Sequence, residues 1–231
     1  MSIANKRMIA EVARRLGPIL DEVVLVGGCS TGLLLTDELF LGDIRHTEDV
    51  DLIVHVVGMV QWYNLQTRLR KQGFTDDMDD GSPMCAMKCG EIRVDFMPDD
   101  ETVLGFSNRW YAAALASASP MDVDGFVVRL VSPACFVATK LEAYAGRGNG
   151  DPMTSRDVED LLTLFGGRRE IIGEIGSAEE AMRAYMVHGL SALLDENGFD
   201  YAVQDVVRGD PVKQEIIMHR LRRVIVGERD E

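Results

Sequence analysis

The chain has 231 residues, of which 46% are hydrophobic and 27% are charged, a balance that excludes a disordered or fibrous protein and allows a buried core. Its 24 Lys and Arg face 38 Asp and Glu, a formal charge of -14, which argues against nucleic-acid binding by bulk electrostatic attraction. Four cysteines without a Cys-x-x-Cys pair, no signal-like N-terminus and no long apolar run favour a soluble protein of the reducing cytoplasm that lacks a membrane segment.

The first half of the chain predicts helices and strands in alternation. Two stretches carry apolar residues at helical spacing, and five runs are rich in β-branched or alternating apolar residues. The predicted helices are 1–17 and 59–72, and the predicted strands are 23–28, 49–57, 84–88, 91–97 and 126–132. Gly27 and Gly28 end the first strand in a tight turn, and Cys89-Gly90 joins the third and fourth strands, 84–88 and 91–97, as a hairpin.

The second half of the chain predicts helices alone. Ser132 as N-cap and Pro133 at the first helical position open one helix, and Ser177 with Glu180 forms a capping box for another. The later predicted helices are 154–165, 177–198 and 210–227. We therefore expect an α+β protein, with a mixed-sheet α/β domain over residues 1–131 and a helical domain over residues 132–231.

Three carboxylates stand out in the predicted sheet. Asp49 and Asp51 are two apart in a strand, so both project from one face. Asp95, an acid inside the apolar strand that includes Val94 and Phe96, is placed to complete the group. Carboxylates held side by side repel one another unless a cation lies between them, and ligands that are all oxygen suit Mg²⁺. The sequence therefore predicts a magnesium cradle, with room for two ions.

The Gly27-Gly28 turn before these acids suits a bound nucleotide, because backbone N–H groups there approach phosphates without side-chain obstruction. The sequence lacks the residues of a P-loop or of a dinucleotide fingerprint. A glycine pair followed by Asp-x-Asp resembles the minimal nucleotidyltransferases of the DNA-polymerase-β-like superfamily. The resemblance implies the polymerase-β-like fold and transfer of an NMP from an NTP to an acceptor hydroxyl.

The segment from Leu130 to Arg168 resembles AbiEii/AbiGii-type nucleotidyltransferase toxins, in which a Lys-Leu-x-Ala helix precedes an Arg and an Asp-x-x-Asp-Leu helix. The resemblance implies that Lys140 binds the triphosphate, that Asp157 is needed for activity, and that Arg147 contributes to the nucleotide site. It also implies a toxin of a bacterial toxin–antitoxin or phage-defence system, with a tRNA 3′ end or a protein as acceptor and a cognate antitoxin as partner.

Several alternatives stay open at this point. Many relatives carry a hydroxyl residue directly after the glycines, where this chain has Cys29 and then Ser30, which leaves Ser30 as the hydroxyl candidate for nucleotide binding. Asp157 also fits a capping box that begins at Thr154, and Arg45 is a further candidate for nucleotide contact. Two other functions remain: a non-catalytic nucleotide-binding or interaction module, and a transferase for a small molecule such as an aminoglycoside.

Charged residues outside the cradle receive simpler interpretations. We expect Asp37, Glu38 and Asp43 to be solvated loop residues, and Asp160 to be solvated or salt-bridged. An RNA acceptor requires a basic surface, and the dense basic clusters of the sequence are Arg68/Arg70/Lys71, Arg168/Arg169 and Arg220/Arg222/Arg223.

Overall fold

The computed structural model describes residues 3–79, 81–147 and 150–227, except for the side chain of Arg147. These residues divide into two compact units. The sheet unit comprises residues 3–30 and Arg45–Cys135, and the helical unit comprises Thr31–Ile44 and residues 136–227. Among the described residues, no helix combines the length and the apolar character that a membrane crossing demands.

The strands all lie in the sheet unit, and the helices are distributed over both units. The strands are β1 (Val23–Val26), β2 (Asp49–Val54), β3 (Thr75–Asp76), β4 (Ala86–Cys89), β5 (Ile92–Pro98), β6 (Ser119–Val123) and β7 (Phe126–Leu130). The helices are α1 (Ile3–Leu16), α2 (Gly27–Leu34), α3 (Gly58–Lys71), α4 (Glu101–Leu104), α5 (Tyr111–Ser117), α6 (Pro133–Arg147), α7 (Arg156–Gly167), α8 (Ile171–Gly176), α9 (Glu180–Leu194), α10 (Phe199–Val206) and α11 (Pro211–Val226). Two short 3₁₀ helices cover Gly17–Glu22 and Glu38–Asp43.

The seven strands form one mixed sheet in the order β3-β4-β5-β2-β1-β7-β6. Strand β2 runs parallel to β5 and β1 runs parallel to β7, while the other neighbours are antiparallel. All four residues of β1 are buried, as expected for a central strand covered on both faces. The predicted α+β class with a mixed sheet is confirmed.

Three predicted strands end earlier in the structure than in the sequence, and the one predicted over 126–132 ends at Leu130. The first ends at Val26, and the two glycines of the predicted turn are already the first residues of α2. The second ends at Val54, because the chain then turns toward Asp99, whose carboxylate accepts from the backbone N–H of Val56 at 3.1 Å. The β4–β5 hairpin forms as predicted, with Cys89 opposite Ile92.

Residues 31–44 pack with the helices that follow Cys135, although the sequence assigned them to the first domain. The backbone N–H groups of Thr36 and Asp37 both donate to the Gly167 carbonyl at 2.8 Å. Phe40 is fully buried against Gly166, where a Cβ would overlap its ring. The helical unit is therefore assembled from two separate stretches of the chain.

The expectation that Asp37 and Asp43 are solvated is wrong. Asp37 accepts from Nε and Nη2 of Arg169 at 3.1 and 3.2 Å, and this hydrogen bonding holds the pKa of its carboxyl below the ordinary value. Asp43 pairs with Lys213 at 2.6 Å, with 6% of its side chain exposed. Both acids join the inserted stretch to residues far along the chain, Asp37 to the turn between α7 and α8 and Asp43 to α11, whereas Glu38 is exposed as expected.

The helix caps differ from the predicted ones. Ser155, and not Thr154, caps α7 by accepting from the Val158 N–H. The predicted Ser177 capping box is absent: Ser177 donates to the Gly173 carbonyl at 2.8 Å, and α9 begins after Glu179, which makes no side-chain cap. Helices α8 and α10 were not predicted, because six and eight residues span too few turns for a clear periodicity.

Candidate functional site

The structure brings together the three predicted metal ligands. In the parallel pairing of β2 with β5, Asp51 lies opposite Asp95, and Asp49 lies two residues earlier on the same strand. One carboxylate oxygen from each aspartate lies within 4.8 Å of the others, and all three residues are half-buried. The sheet thus holds three anionic groups at one place.

The alternation of side chains fixes this arrangement. Val50 and Leu52 of β2, and Val94 and Phe96 of β5, are buried with at most 3% of their surface exposed. A slip of one residue would turn these apolar side chains toward solvent and the aspartates into the core, so the register is strongly specified.

Arg93 is a member of the site that sequence reasoning missed. It lies opposite Asp49 in the strand register, and its Nε and Nη2 donate to the two carboxylate oxygens of Asp95 at 2.9 and 3.1 Å. The bond to Asp95 raises the pKa of Arg93, with the charge of Asp49 as a smaller contribution. The signal was present in the sequence, since Arg-x-Asp in a strand places both side chains on one face.

Gly27 and Gly28 border the triad. Gly27 has φ of 71° and follows Val26, which is the register partner of Asp51; a Cβ at Gly27 would overlap the Asp51 carboxylate. A Cβ at Gly28 would overlap the guanidinium of Arg45. Glycine is therefore required at Gly27, where φ is positive and a Cβ would meet the Asp51 carboxylate, whereas a Cβ at Gly28 would displace the end of the Arg45 side chain. The predicted contact of both glycines with phosphates stays a prediction.

The residues after the glycines are engaged within α2. Ser30 is fully buried, and its hydroxyl donates to the Gly27 carbonyl at 2.8 Å. Cys29 is also buried, with its thiol 3.5 Å from the Val26 carbonyl oxygen. In this geometry both side chains stabilise the first turn of the helix.

A divalent cation fits the triad. Three carboxylates offer hard oxygen ligands within reach of one another, and Arg93 offsets part of their negative charge. The same field acts on Cys85, where burial raises the pKa of the thiol to about 11 and the charges of Asp95 and Asp51 add to the effect.

A second charged cluster lies in the helical unit. The Nζ of Lys140 is 3.0 Å from Asp157 and 2.7 Å from Asp160, with side-chain exposures of 9%, 8% and 1%. The ammonium also lies 5.7 Å from the centroid of the Phe136 ring. Lys140 and Asp157 are thus direct partners. Asp160 was expected to be either solvated or salt-bridged, and in the structure it is salt-bridged. The side chain of Arg147 lies outside the described residues.

The predicted basic clusters are largely engaged with acidic or carbonyl groups. The ion pairs are Arg68 with Glu22, Arg70 with Asp76, Arg168 with Glu174, and Arg169 with Asp37. Arg220 donates to the carbonyls of Phe165 and Gly166. Each of these pairings lowers the positive charge available to an RNA phosphate.

Comparison with solved structures finds two similar chains. One is the antibiotic-resistance factor ANT(2'')-Ia, with 12% identity and a TM-score of 0.46 over 84% of this chain and 95% of that chain. The other is an antigenic nucleotidyltransferase-like protein from Paracoccidioides brasiliensis, with 16% identity and a TM-score of 0.45 over 100% of this chain and 95% of that chain. No protein-family model matches the sequence, and no curated protein matches it.

Proposed function

We propose that this chain is a nucleotidyltransferase that moves a nucleoside monophosphate from an NTP to an acceptor hydroxyl. The observation that carries the proposal is the triad of Asp49, Asp51 and Asp95 beside two glycines. In the reaction the acceptor oxygen bonds to the α-phosphorus, the bond from that phosphorus to the β-phosphate oxygen breaks, and pyrophosphate leaves. The hydroxyl proton passes to a base or to solvent.

The residues of the sheet unit divide this work. Asp49, Asp51 and Asp95 would hold Mg²⁺, which when bound would neutralise phosphate charge and favour ionisation of the attacking hydroxyl. Asp95, oriented by Arg93, positions that hydroxyl. The backbone at Gly27 and Gly28 lies against the phosphates. Catalysis then comes mainly from positioning and charge neutralisation.

The roles implied for the helical unit and for α2 are kept as predictions. The contacts of Lys140 support Asp157 as the residue that orients it, but a triphosphate contact would require the ammonium to leave two carboxylates. A phosphate contact by Ser30 would require its hydroxyl to leave the Gly27 carbonyl. A role for Arg147 in nucleotide binding rests on the resemblance alone.

Two acceptor classes follow from different features. The toxin resemblance favours a tRNA 3′ end or a protein, with a cognate antitoxin as partner and a bacterial cytoplasm as the setting. The charge of -14 and the pairing of Arg68, Arg70, Arg168 and Arg169 with acids favour a cationic small molecule, such as an aminoglycoside, over RNA.

The test is transfer of label from each α-³²P NTP, with Mg²⁺, to tRNA, to cell protein or to an aminoglycoside. We expect label on one acceptor class, pyrophosphate release, and loss of both in Asp49→Asn/Asp51→Asn. Asp76→Asn, which changes an exposed acid of the same unit, is the matched control and should transfer normally. NTP binding without pyrophosphate release on any acceptor would refute the transferase and favour the non-catalytic module.

A further inference from the structure

The two glycines border groups of opposite charge. A Cβ at Gly27 would meet the carboxylate of Asp51, and a Cβ at Gly28 would meet the guanidinium of Arg45. Consecutive Cα atoms are about 3.8 Å apart, so the Asp51 carboxylate and the Arg45 guanidinium lie side by side. An NTP bound with a divalent cation carries the complementary charges in the same order: a cation for Asp51 and then phosphate oxygens for Arg45.

The segment that carries Arg45 is a loop, yet its backbone is fixed. Asn5 of α1 is fully buried; its Nδ2 donates to the Arg45 carbonyl at 3.3 Å, and its Oδ1 accepts from the Thr47 N–H at 3.4 Å. A loop held in this way presents its side chains in a defined position without further ordering, which favours binding.

Thr47 supplies an independent observation. It is 2% exposed, and its methyl carbon is 3.1 Å from the position of a Cβ on Gly28. Its hydroxyl is buried without a hydrogen-bond partner among the described residues. A buried hydroxyl in this state is costly to the folded protein. The Thr47 methyl carbon faces Gly28, so a rotation of this side chain would bring the hydroxyl to a phosphate oxygen bound there and satisfy it.

Resting on the proposed function, the geometry points to Arg45 and Thr47 as the residues that bind the leaving pyrophosphate portion of the NTP beside Gly28. The reacting phosphate belongs at the carboxylates of the triad, and the phosphates that depart lie one residue further, at Gly28. Arg45 forms a charged fork to their oxygens, and Thr47 donates its hydroxyl. The site would bind an NTP or pyrophosphate but would contribute little to the binding of a nucleoside monophosphate, which lacks the departing phosphates.

Calorimetric titration with Mg²⁺ and each of the four NTPs, pyrophosphate and the matching monophosphates tests this assignment. We expect Arg45→Met to weaken NTP and pyrophosphate binding about tenfold or more, with monophosphate binding unchanged. Arg45→Lys keeps the charge without the fork, and its affinity for NTP and pyrophosphate should lie between the affinities of the wild type and Arg45→Met. Arg70→Met, which breaks an exposed ion pair in the same unit, is the matched control and should bind as wild type.

Thr47→Val adds a readout that a structural role would not give. It preserves volume and removes the unpartnered hydroxyl, so we expect a higher Tm without ligand together with weaker pyrophosphate binding. A lower Tm, or unchanged pyrophosphate binding, would contradict the role of Thr47. If Arg45→Met does not fold, Arg45→Lys and Thr47→Val still decide the question.

The outcomes separate the two proposals. If wild type binds an NTP and Arg45→Met binds NTP and pyrophosphate equally well, this assignment is overturned while the transferase stands. Equal weakening of the monophosphate would also overturn it, since the loss would then be general. If wild type binds none of the NTPs with Mg²⁺, the proposed function fails and this assignment with it.

Discussion

Replacing Lys140 with methionine should destabilise the protein strongly. The ammonium contacts Asp157 at 3.0 Å and Asp160 at 2.7 Å, and at most 9% of each of the three side chains is exposed. The methionine would remove this ammonium from two buried carboxylates, and breaking a buried pair in this way costs about 3–5 kcal/mol. At about 2–4 °C per kcal/mol for a chain of this size, Tm should fall by roughly 6–20 °C.

Urea and thermal unfolding measure this loss. The matched control is Arg70→Met, whose ion pair with Asp76 is of similar length, 2.8 Å, but about 45% exposed on each side, and which should cost at most about 1 kcal/mol. The triple variant Lys140→Met/Asp157→Asn/Asp160→Asn removes the whole charge cluster and should regain much of the lost stability. Equal stability of Lys140→Met and Arg70→Met would refute the reasoning.

Three further predictions concern the sheet unit. Gly27→Ala should reduce folding yield and abolish cation binding, because its Cβ overlaps the Asp51 carboxylate at φ of 71°; soluble protein that binds Mn²⁺ normally would contradict the packing. Arg93→Met should tighten Mn²⁺ binding severalfold in electron paramagnetic resonance titrations, because it removes a positive charge from Asp95, and weaker binding would show that orientation dominates. Cys85 should resist alkylation, followed by mass spectrometry, until the pH approaches about 11; because its pKa is raised on folding, its contribution to stability is full below about pH 8.5 and is lost as pH rises to about 11.

The sheet and its acidic triad could be predicted because both depend on local patterns. Alternation places Asp49, Asp51 and Asp95 on one face, and the apolar residues between them fix the opposite face in the core. Arg93 follows the same rule as Asp95, but a search for metal ligands does not identify it, because a guanidinium is not a ligand for a cation. At the Gly27-Gly28 pair, the approach of phosphates stays a prediction. The approach of Asp51 and Arg45 was not foreseen, because it depends on packing between residues that are distant in the sequence.

Long-range pairings could not be predicted from the sequence. The bond between Asp43 and Lys213 joins residues 170 apart, and no local pattern identifies such a partner. The same holds for Asp37 with Arg169, because a local pattern predicts only that acids in a polar loop are solvated. The cap of α7 was predicted wrongly for a different reason. Thr154 and Ser155 are both good N-cap residues, so their types alone do not show which of them begins the helix.

The insertion of residues 31–44 into the helical unit has a consequence for biosynthesis. All seven strands of the sheet unit have been synthesised once Cys135 has left the ribosome. The packing of the helical unit is complete only when Lys213 of α11 has been synthesised and pairs with Asp43. Residues 31–44 are synthesised early and therefore stay unpacked until one of the last helices is made. Such contacts of high sequence separation slow folding. Until they form, Phe40, which is fully buried in the native state, is exposed on the nascent chain and accessible to chaperones.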